Sequence, residues 1–332
     1  IEEMTEYYEK YTTSLTKEII NMGGPDALQS AKRNGKLMAI PFVNSSIDTS
    51  QMIWIRTDWQ KKLELPDPNT IDDIYKICNA FTKQDPNENG KDDTYGFALS
   101  KDLYAEFSII GFANCYHAYP NIWIQDSNDK LVYGSIQPEM KTVLAKLQEL
   151  YKNGIIDKEF GAKDDTKVIE SINSEHLGLA FGPMWMTAGG LQPGRDNNKE
   201  FDWRSFPLIS ADDKPVYKQT SKNVGGYYVV KKGFSNPEVL PKLMSFFIET
   251  CYVDSGKRHK YASHEDTGIY TLDLAIVMSY PNNNNVDQWK MWTDATLSGD
   301  YSKLSEGNEK VLKALTIGLR NGDESQWALS RA

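Results

Sequence analysis

Apolar positions along this chain follow two different periods, one typical of helices and the other of strands. Residues 70–81 place apolar side chains at helical spacing behind Thr70, a residue type that caps helix N-termini. Residues 138–151 repeat that spacing, with Pro138 at the first helical position and Gly154 as the stop signal. Both segments are therefore predicted to be amphipathic helices.

Short apolar runs between the helical segments predict β-strands. They lie at residues 36–42, 52–55, 95–99, 177–182 and 227–230. Further helices are predicted to begin at Tyr104 and at Asn236. Because strands and helices alternate over most of the length, the sequence predicts an α/β architecture with largely parallel sheets.

Length and composition indicate how many domains the chain forms and argue against nucleic acid as a partner. The 332 residues suggest two domains, and a hydrophobic content of 40%, with Trp 8, Tyr 18 and Phe 12, is enough to fill their cores. The formal charge of -9 argues against nucleic acid, which is bound chiefly through Lys and Arg at its phosphates. The three cysteines lie far apart and give neither a disulfide framework nor a CxxC metal pair.

One loop has residue types that folding alone does not readily explain. Asp85, Asn87, Asn89 and Asp93 place oxygen-bearing side chains at alternate positions around Gly90. Hard cations such as Ca²⁺ prefer many oxygen ligands at once, so this alternation suits a loop wrapped around a cation. The alternative is a turn without an ion, since Asn, Asp and Gly favour turns in any case.

Comparison with the EF-hand template narrows what a calcium ion could do here. Lys91 occupies the position that binds through a backbone carbonyl, but Gly96 stands where the template has a bidentate Glu. A strand is also predicted in place of the exit helix. The pattern therefore favours a structural ion over a calcium switch.

Three other segments offer groups that could bind a ligand. Trp185 follows an apolar strand and a Gly-Pro turn, and an aromatic face at such a rim suits a sugar ring, although partly buried packing is the alternative. Tyr104 and Glu106 supply an aromatic and an acid together. Asn44 supplies an amide after the strand that contains Pro41.

Signatures of catalysis are weak. The four histidines show no HExxH spacing, and no GxSxG sequence occurs. Carboxylates are plentiful, which leaves a glycosidase acid–base pair as an alternative because such pairs are defined by spatial separation. The sequence therefore predicts a protein that is not an enzyme.

Several segments occur together in one order. They are residues 36–41, 53–59 with Leu63 and Pro66, the loop 85–96, 131–134, 150–157 and 236–238. In this order the chain resembles the extracellular solute-binding proteins (family 1 type) of ABC sugar importers. The resemblance is to their oligosaccharide-binding lipoprotein branch, which includes the alginate-binding proteins, and it covers roughly residues 30 to 250.

The resemblance implies a two-domain periplasmic-binding-protein-like α/β fold with a hinge and an interdomain ligand cleft. Residues 1–43 and 225–265 would belong to the first domain, residues 44–224 would form the second, and 266–332 would be a helical C-terminal segment. The ligand-binding residues that it implies are Trp185, Tyr104, Glu106, Asn44 and Asn223. The implied ligands of a structural Ca²⁺ are Asp85, Asn87, Asn89, Lys91 (through its carbonyl) and Asp93.

The same resemblance implies a biological setting. The expected protein is an extracellular, cell-surface lipoprotein (or a periplasmic protein) and a monomer, with an oligosaccharide ligand and ABC-transporter permease subunits as partners. The family's export signal and first strand–helix–strand unit are expected to be absent from this chain, whose first residues do not form a signal peptide. The ending after Trp327 is expected to be short of the family's terminal helices, and no segment resembles a transmembrane helix. The alternatives are a glycosidase or lyase with a structural calcium, or a peptide- or protein-binding module.

Overall fold

The computed structural model describes residues 1–220, 223–252, 279, 284–302, 304, 325 and 327–331. The chain divides into two compact units. The first unit comprises Ile1–Thr49 and Thr220–Ile317, and the second comprises Ser50–Gln219 and Gly318–Ala332. The domain bounds drawn from the sequence stay a prediction, and much of the predicted helical segment 266–332 lies outside the described residues.

The described residues form helices of five to fifteen residues. They are α1 (Thr5–Tyr11), α2 (Ser14–Met22), α3 (Asp26–Ser30), α4 (Thr57–Lys62), α5 (Ile71–Lys83), α6 (Ile110–Cys115), α7 (Pro138–Lys152), α8 (Asp165–Asn173), α9 (Gln192–Asn197), α10 (Val239–Tyr252), α11 (Asn284–Ser298) and α12 (Trp327–Arg331). Of these described helices, none combines the length and the apolar composition needed to cross a lipid bilayer.

The strands are shorter than the helices. They are β1 (Lys32–Arg33), β2 (Lys36–Leu37), β3 (Ile40–Val43), β4 (Met52–Arg56), β5 (Trp123–Gln125), β6 (Leu131–Tyr133), β7 (Leu179–Gly182), β8 (Trp203–Phe206) and β9 (Val224–Tyr228). Together with the helices they confirm the predicted α/β class.

The first unit is built on two antiparallel strand pairs and the helices that cover them. Strands β1 and β2 form a hairpin whose turn residues, Asn34 and Gly35, have φ values of 51° and 76°, as a tight two-residue hairpin turn requires. Strand β3 pairs with β9, helices α2 and α3 pack on β3, and helix α10 packs against α1 and α2. The core contains side chains such as Ile20, Val43 and Ile248.

The second unit contains a three-stranded sheet in which β4 lies between β7 and β8, antiparallel to both. The prediction of largely parallel sheets is therefore wrong for the strand ladders of the described residues. Parallel pairing occurs there as the single bridges Tyr95–Leu177 and Phe97–Ile156, which is all that forms of the strand predicted at 95–99. An apolar run in the sequence predicts that a strand is buried. It does not predict whether the neighbouring strand runs parallel or antiparallel to it.

Side chains on both faces of this sheet are buried, because a separate core packs against each face. Ile53 and Phe181 point into one core, whereas Trp54 and Ala180 point into the other. Alternate residues of β4 therefore serve different cores. This explains why the segment shows a continuous apolar run and not an alternating one.

The strongest helix predictions are confirmed. Helix α5 begins with a capping box in which Thr70 and Asp73 bond each other's backbone N–H groups, and α7 begins at Pro138. The predicted helix at Tyr104 is wrong, because residues 104–109 form turns and α6 begins at Ile110. There the carbonyl of the buried Phe107 accepts a hydrogen bond from Ser100, which closes a turn instead of a helical repeat.

Candidate functional site

Trp185 lies in a tight turn that follows β7 and is held at several points. The indole N–H of the buried Trp54 donates to the Pro183 carbonyl at 3.1 Å, where the turn begins. The Gly189 N–H donates to the Trp185 carbonyl at 2.9 Å, which closes the turn behind the side chain. Trp185 itself is half-buried.

The structure brings Trp185 together with Glu106, which lies 79 residues earlier. The indole Nε1 of Trp185 donates to Glu106 Oε1 at 3.0 Å. Glu106 is also half-buried, and its backbone N–H points to Asp165 Oδ2 at 3.5 Å. This bond holds the indole ring at its edge and leaves its faces for apolar contact, which suits the C–H surface of a sugar ring.

Tyr104 is close to Glu106 in sequence but has a different environment. Its side chain is 44% exposed. Among the ring contacts of the described residues, none joins Tyr104 to Trp185. Tyr104 is therefore accessible to a ligand, but it is not part of the Trp185–Glu106 pair.

Sequence reasoning missed Asp165, which lies beneath the Glu106 turn. Its Oδ1 is buried and has no hydrogen-bond partner. The sequence offered only an ordinary signal, since Asp164 and Asp165 look like the cap and first turn of a helix, and Asp164 does accept a bond from the Lys167 N–H at 3.1 Å. A capping pattern therefore concealed a second, more buried carboxylate.

Asn44 and Asn223 meet in the first unit, where strand β3 ends and strand β9 begins. The Asn44 N–H donates to the Asn223 carbonyl at 2.9 Å. The side-chain Oδ1 atoms of both residues are buried and lack a partner. Buried amide oxygens without a donor are uncommon, so both could accept hydrogen bonds from a ligand or from water.

The loop at residues 85–93 is folded by hydrogen bonds to its first residue. Asp85 Oδ1 accepts from the Asn89 N–H at 3.2 Å, and Asp85 Oδ2 accepts from the Gly90 N–H at 2.9 Å. Asn89 Oδ1 accepts from the Lys91 N–H at 2.8 Å. Glycine at position 90 suits this turn, because its φ is 73°. The loop is thus closed by its own side chains.

Asn87 and Asn89, two of the predicted metal ligands, both contact the carboxylate of Asp93. The Nδ2 atom of Asn89 donates to the two carboxylate oxygens of Asp93 at 3.1 and 3.0 Å, and Asn87 Nδ2 lies 3.4 Å from Oδ1. Burial raises the pKa of Asp93, but these hydrogen bonds and the nearby His176 outweigh it and hold the pKa below its usual value. Asp93 is therefore a carboxylate at neutral pH.

The donor set fits a hard cation. Two amides meet the Asp93 carboxylate, Asp85 lies at the start of the same loop, and Asn87 Oδ1 is buried without a hydrogen-bond partner. Rotating either amide by half a turn would present its oxygen in place of its nitrogen. Within the part of the chain that the structure describes, no group of three or more His, Cys, Asp or Glu side chains could hold a metal, so carbonyl and amide oxygens would have to contribute.

One cluster of side chains resembles a catalytic triad in composition but not in geometry. Nε2 of His117 lies 2.8 Å from Asp212 Oδ1 and 3.3 Å from Ser210 Oγ. A triad requires the acid on one imidazole nitrogen and the nucleophile on the other. Here the same nitrogen contacts both, so the histidine cannot relay a proton between them.

Three curated relatives match the sequence, and the chain spans about half or less of the length of each. It is 35% identical over 290 residues to the polygalacturonan/rhamnogalacturonan-binding protein YtcQ of Bacillus subtilis, covering 79% of this chain and 55% of YtcQ. It is 30% identical over 223 residues to Lipoprotein LipO of the same organism, covering 66% of the chain and 44% of LipO. The fructooligosaccharide ABC transporter substrate-binding protein FusA of Streptococcus pneumoniae is 28% identical over 189 residues, covering 52% of this chain and 34% of FusA.

Solved structures identify the fold. The alginate-binding protein AlgQ2, solved without calcium ion, superposes with a TM-score of 0.63 at 17% identity, covering 86% of this chain and 59% of AlgQ2. An EF-hand mutant of S. pneumoniae FusA in complex with fructo-nystose has a TM-score of 0.60 at 19% identity, covering 82% of this chain and 55% of the FusA chain. No protein-family model matches the chain. The predicted periplasmic-binding-protein-like fold is thereby confirmed.

Proposed function

The homologues and structural neighbours of this chain are extracellular solute-binding proteins of sugar importers, and we propose that the chain binds an oligosaccharide without transforming it. The observation that carries the proposal is the Trp185 indole held by Glu106 within this fold. The ring face supplies apolar contact with the C–H surface of a pyranose, and neighbouring polar groups orient its hydroxyls. The relatives support binding over the alternative of a glycosidase or lyase.

The sugar is proposed from what the relatives bind. YtcQ is a polygalacturonan- and rhamnogalacturonan-binding protein and FusA is a fructooligosaccharide-binding one, so both acidic and neutral oligosaccharides are candidates. The formal charge of -9 favours a neutral ligand, although charge close to the ligand would outweigh the net value. The proposed setting is the cell surface, where permease subunits of an ABC importer would receive the ligand.

Calcium is the proposed ion of the loop, with Asp85, Asn87, Asn89, Asp93 and the Lys91 carbonyl as ligands. Support comes from the buried Asn87 oxygen without a partner and from the Asp93 carboxylate, which the loop brings beside Asn87. These residues would hold the ion, whose positive charge would replace the hydrogen bonds now made to Asp93. Its proposed role is structural: it stabilises the loop by preferential binding to the folded state.

The test is calorimetric titration of the protein with trigalacturonate, a rhamnogalacturonan fragment and kestose. We expect one of them to bind and Trp185→Ala to weaken that binding at least about tenfold, equivalent to about 1.4 kcal/mol. Trp123→Ala is the matched control, because Trp123 is 66% exposed on the β5–β6 hairpin. Release of shorter products from these sugars, or binding of peptides alone, would contradict the proposal.

A further inference from the structure

The hydrogen bond between Trp185 and Glu106 occupies the only polar atom of the indole ring. Nε1 carries a single hydrogen, and Glu106 Oε1 accepts it at 3.0 Å. That hydrogen is therefore not available to a ligand while the bond is made. Because Nε1 lies on the edge of the ring, the bond restrains rotation of the side chain and leaves the ring faces to other contacts.

The backbone that carries Trp185 is restrained on both sides of the residue. The Pro183 carbonyl accepts a hydrogen bond from the indole N–H of the buried Trp54. The hydroxyl of Thr187 donates to the Ala328 carbonyl at 2.9 Å. Thr187 is completely buried. With the main chain fixed at these points, the principal remaining freedom of Trp185 is its side-chain rotamer.

The backbone that carries Glu106 is restrained as well. The next residue, Phe107, is completely buried, and its carbonyl accepts the Ser100 N–H at 3.1 Å. The buried carboxylate of Asp165 lies 3.5 Å from the Glu106 N–H. Glu106 is thus presented to Trp185 from a fixed segment, and the bond joins two separately anchored turns.

We propose that Glu106 is a positioning residue, which fixes the Trp185 ring for the sugar instead of contacting the sugar itself. The inference rests on the proposed function, in which Trp185 stacks on the ligand. A ring already held in its binding rotamer loses less conformational entropy when the ligand arrives. Glu106 therefore acts on affinity through Trp185, although the family resemblance implied a direct contact with the ligand.

The first measurement needs no sugar. In the ligand-free protein labelled with ¹⁵N, the Trp185 indole N–H resonance is assigned by its loss in Trp185→Phe. We expect Glu106→Leu to shift this resonance and to increase its hydrogen exchange, and Glu106→Gln, which keeps an acceptor oxygen, to change it less. Glu170→Leu is the control, because Glu170 is exposed on helix α8. An unchanged resonance in Glu106→Leu would overturn the inference whether or not any sugar binds.

The second measurement is a double-mutant cycle with the sugar identified in the titrations. Glu106→Leu should weaken binding about five- to tenfold in the wild-type background. In the Trp185→Phe background, where no indole N–H exists, the same change should have no effect. An equal loss in both backgrounds would mean that Glu106 contacts the sugar directly and would overturn the positioning role. A changed resonance in a protein that binds none of the three sugars would instead count against the proposed function alone.

Discussion

The main chain at Gly96 runs directly against the carbonyl group of Cys78. A Cβ atom added to Gly96 would lie 2.0 Å from the Cys78 oxygen, far inside van der Waals contact. The approach is stabilised by Thr82, whose Oγ1 accepts the Gly96 N–H at 2.9 Å and donates to the Cys78 carbonyl at 2.8 Å. The position where the EF-hand template has a glutamate therefore needs a residue without a side chain.

Gly96→Ala is expected to destabilise the protein by about 3 kcal/mol or more, because the clash is with the backbone of helix α5 and cannot be relieved by a rotamer change. Urea unfolding followed by circular dichroism measures the free energy of unfolding. Gly161→Ala is the control, since a Cβ atom there would meet nothing within 4 Å. Equal stabilities of the two variants would contradict the close approach.

Arg56 is a buried cation whose charge is matched by a neighbouring carboxylate. Its side chain is completely buried between the rings of Trp59 and Phe201. Its Cζ atom lies 4.5 Å from the centroid of the Trp59 ring and 4.3 Å from that of Phe201. Nε donates to Asp58 Oδ1 at 2.8 Å, and Nη2 donates to the other carboxylate oxygen. Removing Asp58 alone leaves this charge buried, so Asp58→Ala should cost about 3–5 kcal/mol of unfolding free energy.

The double variant Arg56→Met with Asp58→Ala distinguishes the stability cost of the buried charge from the cost of lost packing. We expect it to be more stable than Asp58→Ala, in which the buried charge keeps Glu175 Oε1 at 3.8 Å but loses its hydrogen-bonded carboxylate. Met carries no charge and retains apolar contacts with the two rings. Chemical denaturation of the three variants gives the coupling energy. Additive losses would show that the pair is not coupled.

Calcium removal is expected to lower the melting temperature and to leave sugar affinity nearly unchanged. At a free Ca²⁺ concentration about 100 times its dissociation constant, binding would stabilise the folded state by about 2.7 kcal/mol. Differential scanning calorimetry with and without a chelator measures the shift. Loss of sugar binding in a protein that remains folded after chelation would contradict the structural role.

Two variants show whether the loop at residues 85–93 is responsible for that shift. Asp93→Ala should abolish the difference between calcium and chelator. Asp126→Ala should keep it, because Asp126 also closes a turn, through the N–H groups of Asn128 and Lys130, but lies outside the loop. A calcium effect that survives in Asp93→Ala would place the ion elsewhere.

Acid stability should depend on Asp212. Its hydrogen bonds, first of all that from His117, lower its pKa to about 2. A carboxyl whose pKa is lower in the folded state stabilises that state at pH values above the unfolded pKa of about 4 and loses the effect as pH falls toward 2. The melting temperatures of wild type and Asp212→Asn should therefore differ at pH 6 and converge near pH 2. A constant difference across this range would contradict the assignment.

Features that depend on residues close together in the chain could be predicted without coordinates. The Thr70 capping box, the start of α7 at Pro138 and the positive φ of 72° at Gly154 all follow from interactions within a few positions. The apolar run at β4 also marked a buried strand. In addition, the order of the segments identified the fold, because each retains its local pattern.

Features that join distant parts of the chain could not be predicted in this way and required the folded structure. The antiparallel direction of β4 against β7 and β8, the turns where a helix was predicted at Tyr104, and the bond from Trp185 to Glu106 all arise from such contacts. Local propensity is worth a fraction of a kcal/mol per residue, whereas burial of a large side chain such as Phe107 contributes about 2 kcal/mol. Packing therefore outweighs local preference, and it is packing that places Glu106 against Trp185.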